Sequence, residues 1–156
     1  MNTLLQFNNS FDYSQIVICD PLLEKPFNDW EPEHNRQGFA WREGSVSFAV
    51  FDSDLYTIEV CLDDLIQIQP ETERAILVPF TVPVSGLVGI ATVGDMREVK
   101  VGEGTFALQF EHWHKSDVWT WCRFTFISQV LSKPAILKAD TFLLPVSPLV
   151  MGAKPA

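Results

Sequence analysis

The sequence predicts an all-β fold, a mostly antiparallel β-sandwich or open barrel with one short helix. Three observations carry that expectation. The 156 residues include 12 Phe and 5 Trp beside many Val, Ile and Thr, the side chains that suit a pleated, half-buried surface. They fall in short runs broken by Gly, Pro, Asp and Ser at intervals of about ten residues, the rhythm of strands and turns. No long stretch repeats its apolar residues at the helical period.

Taken in order, the first strand is Tyr13 to Cys19. The helix follows, with Asp29 as its N-cap, Glu31, Pro32 and Glu33 in its first turn and Gly38 near its end. Ser45 to Phe51 places Val46, Phe48 and Val50 on one face, and Leu55 to Leu62 sets Tyr56, Ile58, Val60 and Leu62 against a wetter face of Thr57, Glu59 and Cys61. Asp52, Ser53 and Asp54 between them are turn formers, so the two strands are expected as an antiparallel hairpin. Ala75 to Val82, Leu87 to Val93, Arg97 to Val101, Thr105 to Trp113, Trp119 to Ile127 and Ile136 to Leu144 complete about nine strands. Gly102-Glu103-Gly104 permits the positive φ of a second tight hairpin. The length suits a single β-rich domain over residues 1–156, with the tail after about 145 loosely held.

Composition removes several classes. At 47% hydrophobic, 20% charged and a mean hydropathy of +0.10 the chain is neither a disordered tail nor a membrane bundle. Its longest apolar stretches are interrupted by Pro79, Pro83, Pro145 and Pro148, so no membrane span is expected. The opening MNTLLQFNNSFD has neither a basic leader nor an apolar run, which predicts a cytoplasmic protein. Cys19, Cys61 and Cys122 are expected as reduced thiols, since their spacing forms no CxxC pair.

Charge is divided unevenly along the chain. Residues 1–73 hold 14 acidic and 3 basic side chains, whereas residues 74–156 hold 6 acidic and 8 basic. Asp52, Asp54, Glu59, Asp63, Asp64, Glu71 and Glu73 fall within 22 residues that contain no Lys or Arg. Such a field repels phosphate backbones, which argues against direct nucleic-acid binding, and it steers basic partners toward itself.

Catalytic motifs are missing. The sequence holds no GxSxG, no GxGxxG and no Walker glycine loop. His112 and His114 form an HxH pair without the flanking pattern of a known zinc site, so no metal or other cofactor is expected; a metal-dependent enzyme is the alternative this pair leaves open. Trp113, Trp119 and Trp121 leave a second, a carbohydrate- or ligand-binding module.

Several short stretches resemble the competence protein J family. They are Asp29-Trp30 followed by Gly38, then Gly44-Ser45-Val46-Ser47-Phe48, then Val78-Pro79-Phe80-Thr81-Val82 with Gly86 after it, and Ala139-Asp140-Thr141-Phe142. The sequence departs from the family's pattern over Trp119 to Pro134 and after Leu144. The described member of that family inhibits a DNA-entry nuclease, so the resemblance implies a protein that blocks a nuclease by binding it. The expectation is a nuclease inhibitor or immunity protein, not an enzyme, whose partner is a cognate DNase. The residues expected to meet the basic cleft of that DNase are Asp52, Asp54, Asp63, Asp64, Glu71 and Glu73, with Trp30 as an apolar anchor.

Overall fold

The computed structural model describes residues 1–10, 14–145 and 147–156. They form eleven strands and one helix: β1 (Asn2–Asn9), β2 (Gln15–Cys19), α1 (Pro32–Gln37), β3 (Phe39–Arg42), β4 (Ser45–Ala49), β5 (Leu55–Asp63), β6 (Arg74–Val82), β7 (Leu87–Thr92), β8 (Asp95–Lys100), β9 (Gly104–Ser116), β10 (Trp119–Ile127) and β11 (Ala135–Lys138). The all-β class and the single short helix are as the sequence predicts. The strands make two sheets, ordered β1-β5-β10-β9-β6-β11 and β3-β4-β2-β7-β8. Contacts divide the chain into two compact units, Met1–Ser14, Val50–Phe80 and Thr105–Asp140 in one, and Gln15–Ala49, Thr81–Gly104 and Thr141–Ala156 in the other. Among the described residues no helix is long and apolar enough to cross a membrane.

The first unit carries the six-stranded sheet. β1 and β5, β9 and β10, and β6 and β11 pair antiparallel. β5 and β10 run parallel, in register from Leu55 opposite Trp119 to Asp63 opposite Ile127. Alternate side chains of β5, β9 and β10 bury Tyr56, Ile58, Phe110, Phe124 and Phe126 completely. Phe126 takes the edges of Phe80 and Phe106, each at 5.8 Å between centroids, the geometry that the aromatic quadrupole favours. The other face of β5, expected to be wetter, is buried too: Thr57, Glu59 and Cys61 are at most 5% exposed. Long side chains reaching over from β10 cover it, with Trp121 and Arg123 both bonded to Glu59.

The second unit carries the five-stranded sheet, antiparallel in each of its pairings. Ile16, Ile18, Phe39, Phe48 and Ile90 are its largest buried side chains. α1 begins two residues later than expected, with Glu31 rather than Asp29 as the N-cap and Pro32 as its first residue. His34 Nδ1 accepts the Glu31 N–H at 2.9 Å, which satisfies a helix-start amide. Gly38 closes the helix in the left-handed region, φ 82°. The chain end, read from sequence as loosely held, hydrogen bonds through its backbone to residues 27, 29 and 41, with Ala156 N–H on Phe27 O, Asp29 N–H on Lys154 O and Gly152 N–H on Trp41 O.

Both predicted hairpins are overturned. β4 pairs with β2 and β3, the latter through a Glu43-Gly44 turn with Gly44 at φ 82°, whereas β5 belongs to the other sheet. The Asp-rich turn folds onto β5 itself, where Tyr56 Oη donates to Phe51 O at 2.6 Å and accepts the Ser53 N–H at 2.9 Å. Gly102 and Gly104 do take positive φ. However, the Val101 and Gly102 amides bond Gly86 O at 2.8 and 3.0 Å, which ends β8 against the turn before β7 and sends β9 to the first unit. β11 stops at Lys138 because Asp140 turns in to Arg74. β1 and β3 are strands the sequence reading missed, and Tyr13 of the predicted first strand lies outside the described residues.

Candidate partner-binding surface

The six carboxylates expected to meet a partner all belong to the first unit, but β5 separates them. Asp52 and Asp54 are exposed just before the strand, where the Asp54 and Leu55 amides bond Val118 O at 2.9 Å each. Asp63 closes the strand and Asp64 follows. Nine residues at about 3.3 Å each put these two pairs roughly 30 Å apart. Trp30 belongs to the second unit, half-buried before α1, with its Nε1–H on Gln15 Oε1 at 3.0 Å.

Residues 64–72 form a strap between β5 and β6, laid along one face of β9. Its start is fixed by Asp63 Oδ1, which accepts the Asp64 N–H at 2.8 Å, and by Ser128 Oγ, which donates to Asp64 Oδ1 at 2.7 Å. Gln109 Nε2 then donates to Gln67 O at 2.8 Å. The buried carboxylate of Glu111 accepts from the Gln69 amide at 3.0 Å, Thr72 Oγ1 at 2.6 Å and Gln109 Nε2 at 3.0 Å, so its burial is matched by donors. Glu71 on the strap is exposed. Glu73, just past it, accepts the His114 N–H at 2.6 Å and meets His114 Nδ1 at 2.8 Å. Burial raises the Glu73 pKa, but these bonds and the neighbouring histidines outweigh it and hold the carboxyl below its ordinary value.

Glu59, part of the same acidic run in sequence, is buried under side chains of β10 on the second face of β5. Arg123 Nε donates to it at 2.8 Å, Trp121 Nε1 at 3.2 Å and Thr3 Oγ1 at 3.0 Å. Desolvation pushes its pKa up, and the Arg123 bond and charge with the other two donors carry it lower than normal. The tryptophans read as a possible ligand platform are engaged around it. Trp113 stacks on Trp121 at 5.9 Å, Arg123 lies over Trp113 at 5.4 Å, and Lys115 lies over Trp119 and Trp121 at 5.9 and 5.4 Å. Each of these cation–π contacts takes one face of its ring.

The histidine pair does not converge on a common point. His112 is fully buried with Nε2 3.5 Å from Asp140 Oδ2, while His114 is half exposed on Glu73. Phe51 stacks on both rings, at 3.8 and 4.3 Å between centroids, filling the space a shared ion would take. Burial drives the His112 pKa down to about 4; the Arg74 charge adds to that, and Asp140 and Glu73 oppose it. Among the described residues no three His, Cys, Asp or Glu side chains are grouped to hold a metal ion.

What the sequence reading missed is aliphatic. Leu65, Ile66 and Ile68 on the strap are 58%, 40% and 38% exposed. A cleft of about 290 Å³ beside them is lined by Met1, Asp63, Ile68, Pro70 and Arg123 among others. The Leu-Ile-Gln-Ile run was its signal, hidden by the carboxylates around it.

With this geometry in place, the comparison with known families is decisive: the model of the competence protein J family matches residues 9–127. The chain belongs to the competence protein J family. The resemblance is thereby borne out over the stretches from Asp29-Trp30 to Val78-Pro79-Phe80 and Gly86, while Ala139-Asp140-Thr141-Phe142 lies beyond the matched residues. Among solved structures, the crystal structure of ComJ from Bacillus subtilis, described as an inhibitor of the DNA-degrading activity of NucA, is similar in fold. The match has a TM-score of 0.66 at 17% identity and covers 81% of this chain and 97% of that one. No curated protein sequence matches the chain.

Proposed function

We propose that this member of the competence protein J family is a proteinaceous nuclease inhibitor that binds a cognate DNase and blocks its basic cleft, without chemistry of its own. Family membership over residues 9–127, in a family whose solved Bacillus subtilis member inhibits a DNA-degrading activity, is the observation that carries the reading. The acidic first half supports it, because a cleft built for phosphates attracts carboxylates by the same field. Asp52, Asp54, Asp63, Asp64, Glu71 and Glu73 are the proposed contact residues, with Trp30 as a further one. Three buried thiols without disulfides accord with a cytoplasmic site of action.

The test is degradation of linear duplex DNA by purified Bacillus subtilis NucA and by DNases fractionated from the protein's own cell, with and without the purified chain. Stoichiometric loss of one nuclease activity, relieved by high salt, is the expected result. If every nuclease tested runs at full rate against excess chain, the inhibitor reading fails.

A further inference from the structure

The strap is built inside out. Its polar groups, the Gln67 carbonyl, the Gln69 amide and the Thr72 hydroxyl, point down onto Gln109 and Glu111 of the sheet. Leu65, Ile66 and Ile68 are left facing water. Folding alone selects the opposite arrangement, since each exposed aliphatic side chain forgoes the free energy of burial. Other exposed aliphatics, such as Val84, Val93 and Val118, stand singly in turns between strands. Three within four residues, on a segment held in place from below, form a contiguous patch of the kind that marks a contact site.

Charge identifies the occupant. Asp63, Asp64 and Glu71 flank the patch along the chain, with no Lys or Arg between Arg42 and Arg74, and Arg123 in the adjoining cleft is paired with Glu59. An apolar centre with an acidic rim has the anatomy of an interface for a basic protein surface. The same rim opposes a second copy of this chain, whose identical patch would bring like charges together. We infer that residues 63–71 are the element that docks on the nuclease, with Leu65, Ile66 and Ile68 as the buried anchor and Asp63, Asp64 and Glu71 meeting lysines and arginines at the mouth of its DNA cleft. The inference rests on the inhibitor reading and deepens it, replacing Trp30 by the strap as the centre of the contact. Because Gln109 and Glu111 already fix the strap, little ordering cost remains at binding.

The experiment uses the full chain and the nuclease whose activity it suppresses in the degradation assay. Leu65→Ser/Ile66→Ser/Ile68→Ser should raise the dissociation rate and weaken inhibition about 100-fold at all salt concentrations. Asp63→Asn/Asp64→Asn/Glu71→Gln should slow association on the order of tenfold at low salt and lose that effect at high salt. Near-ultraviolet circular dichroism from the five tryptophans and the urea midpoint should match wild type for both. Hydrogen exchange of the unmodified chain gives a second reading, with amides 64–72 gaining protection in the complex. Inhibition by wild type together with equal inhibition by the serine variant, or protection elsewhere than the strap, overturns the inference while leaving the inhibitor reading intact. A wild-type dimer that the serine variant converts to monomer overturns it as well, since the patch is then a self-interface. Failure of wild type to inhibit at all removes both.

Discussion

Arg74 and Asp140 face each other across 66 residues of chain through two hydrogen bonds, Nε to Oδ2 at 2.7 Å and Nη2 to Oδ1 at 3.0 Å, with both side chains under a tenth exposed. Removing one member of such a pair leaves the other charged and buried. Asp140→Ala is therefore expected to cost about 3–5 kcal/mol in urea denaturation. Arg74→Met/Asp140→Leu, which removes both charges, should recover much of that loss. Equal destabilisation by the single and double variants would deny the pair its role.

Acid should destabilise the protein through His112. Its folded pKa, about 4, lies below the ordinary value of 6.5, so above pH 6.5 both folded and unfolded states are neutral and the stability is fully present. As pH falls from 6.5 toward 4 the unfolded chain takes up a proton that the folded one refuses, which costs about 3 kcal/mol by pH 4. Glu59 and Glu73, whose folded pKa values are lowered, lose stability in the same direction. Urea titrations from pH 7 to 4 should show the fall, and His112→Phe should flatten it. An unchanged slope in that variant would assign the acid sensitivity to the carboxylates alone.

Asp63→Asn/Asp64→Asn separates steering from folding. Asparagine keeps the Oδ1 that accepts the Asp64 amide and the one that accepts Ser128 Oγ, so the melting temperature should stay within about 2 °C of wild type, as for other exposed substitutions. Stopped-flow association with the nuclease should slow several-fold at low salt. An unchanged rate there removes these carboxylates from the encounter.

Trp30→Ala should act on stability before it acts on binding. The indole is half-buried and bonded to Gln15, and its ring meets His34 of α1 edge-on at 6.4 Å. A loss of about 2 kcal/mol is expected, with inhibition by the folded protein weakened far less than by the strap's serine variant. A variant that melts normally yet fails to inhibit would put Trp30 at the centre of the contact.

The thiols should be inert in the native protein. Burial pushes Cys19 and Cys61 up to about 12 and Cys122 higher still, so little thiolate exists at neutral pH. A thiol-specific reagent should label none of the three until the chain is unfolded. The triple Cys→Ser variant should fold and inhibit with lowered stability, Cys122→Ser contributing about 1–3 kcal/mol because it buries a hydroxyl in place of a fully buried thiol. Rapid native labelling at Cys61 would show that its cover of Thr3 and Glu59 opens.

Local pattern made much of the fold legible, and long-range pairing did not. Tyr56, Ile58, Val60 and Leu62 alternate so regularly that β5 is readable from them alone. β1 was hidden because an edge strand needs only one paired side, and its polar Asn2, Gln6, Asn8 and Asn9 read as a loop. The Asp52-Ser53-Asp54 turn misled for a different reason: a tight turn fixes where the chain bends, and leaves open whether the next strand returns to the same sheet. The tryptophans are visible in the sequence as a cluster, but their neighbours Lys115, Arg123 and Glu59 come from separate strands and could not be read from it. For the candidate surface the carboxylates were visible as a run of like charge. Their division between the two ends of β5 follows from the strand read between them, whereas the course of residues 64–72 along β9 does not, because Gln109 and Glu111 lie some forty positions away in sequence. Leu65, Ile66 and Ile68 look like core in a sequence, and only their exposure distinguishes them.

Each of the two units is assembled from three separate pieces of chain, interleaved with the pieces of the other. The parallel pairing of β5 with β10 joins residues more than sixty positions apart, and loop closure of that length must precede the reward of the contact. On the ribosome, β5 and the strap therefore emerge long before β9, whose Gln109 and Glu111 hold the strap, and before β10, which pairs with β5. A chain cut before β10 should therefore leave β5 without its parallel partner and Asp64 without Ser128, so the first unit has no partly built form that presents the strap in its folded position.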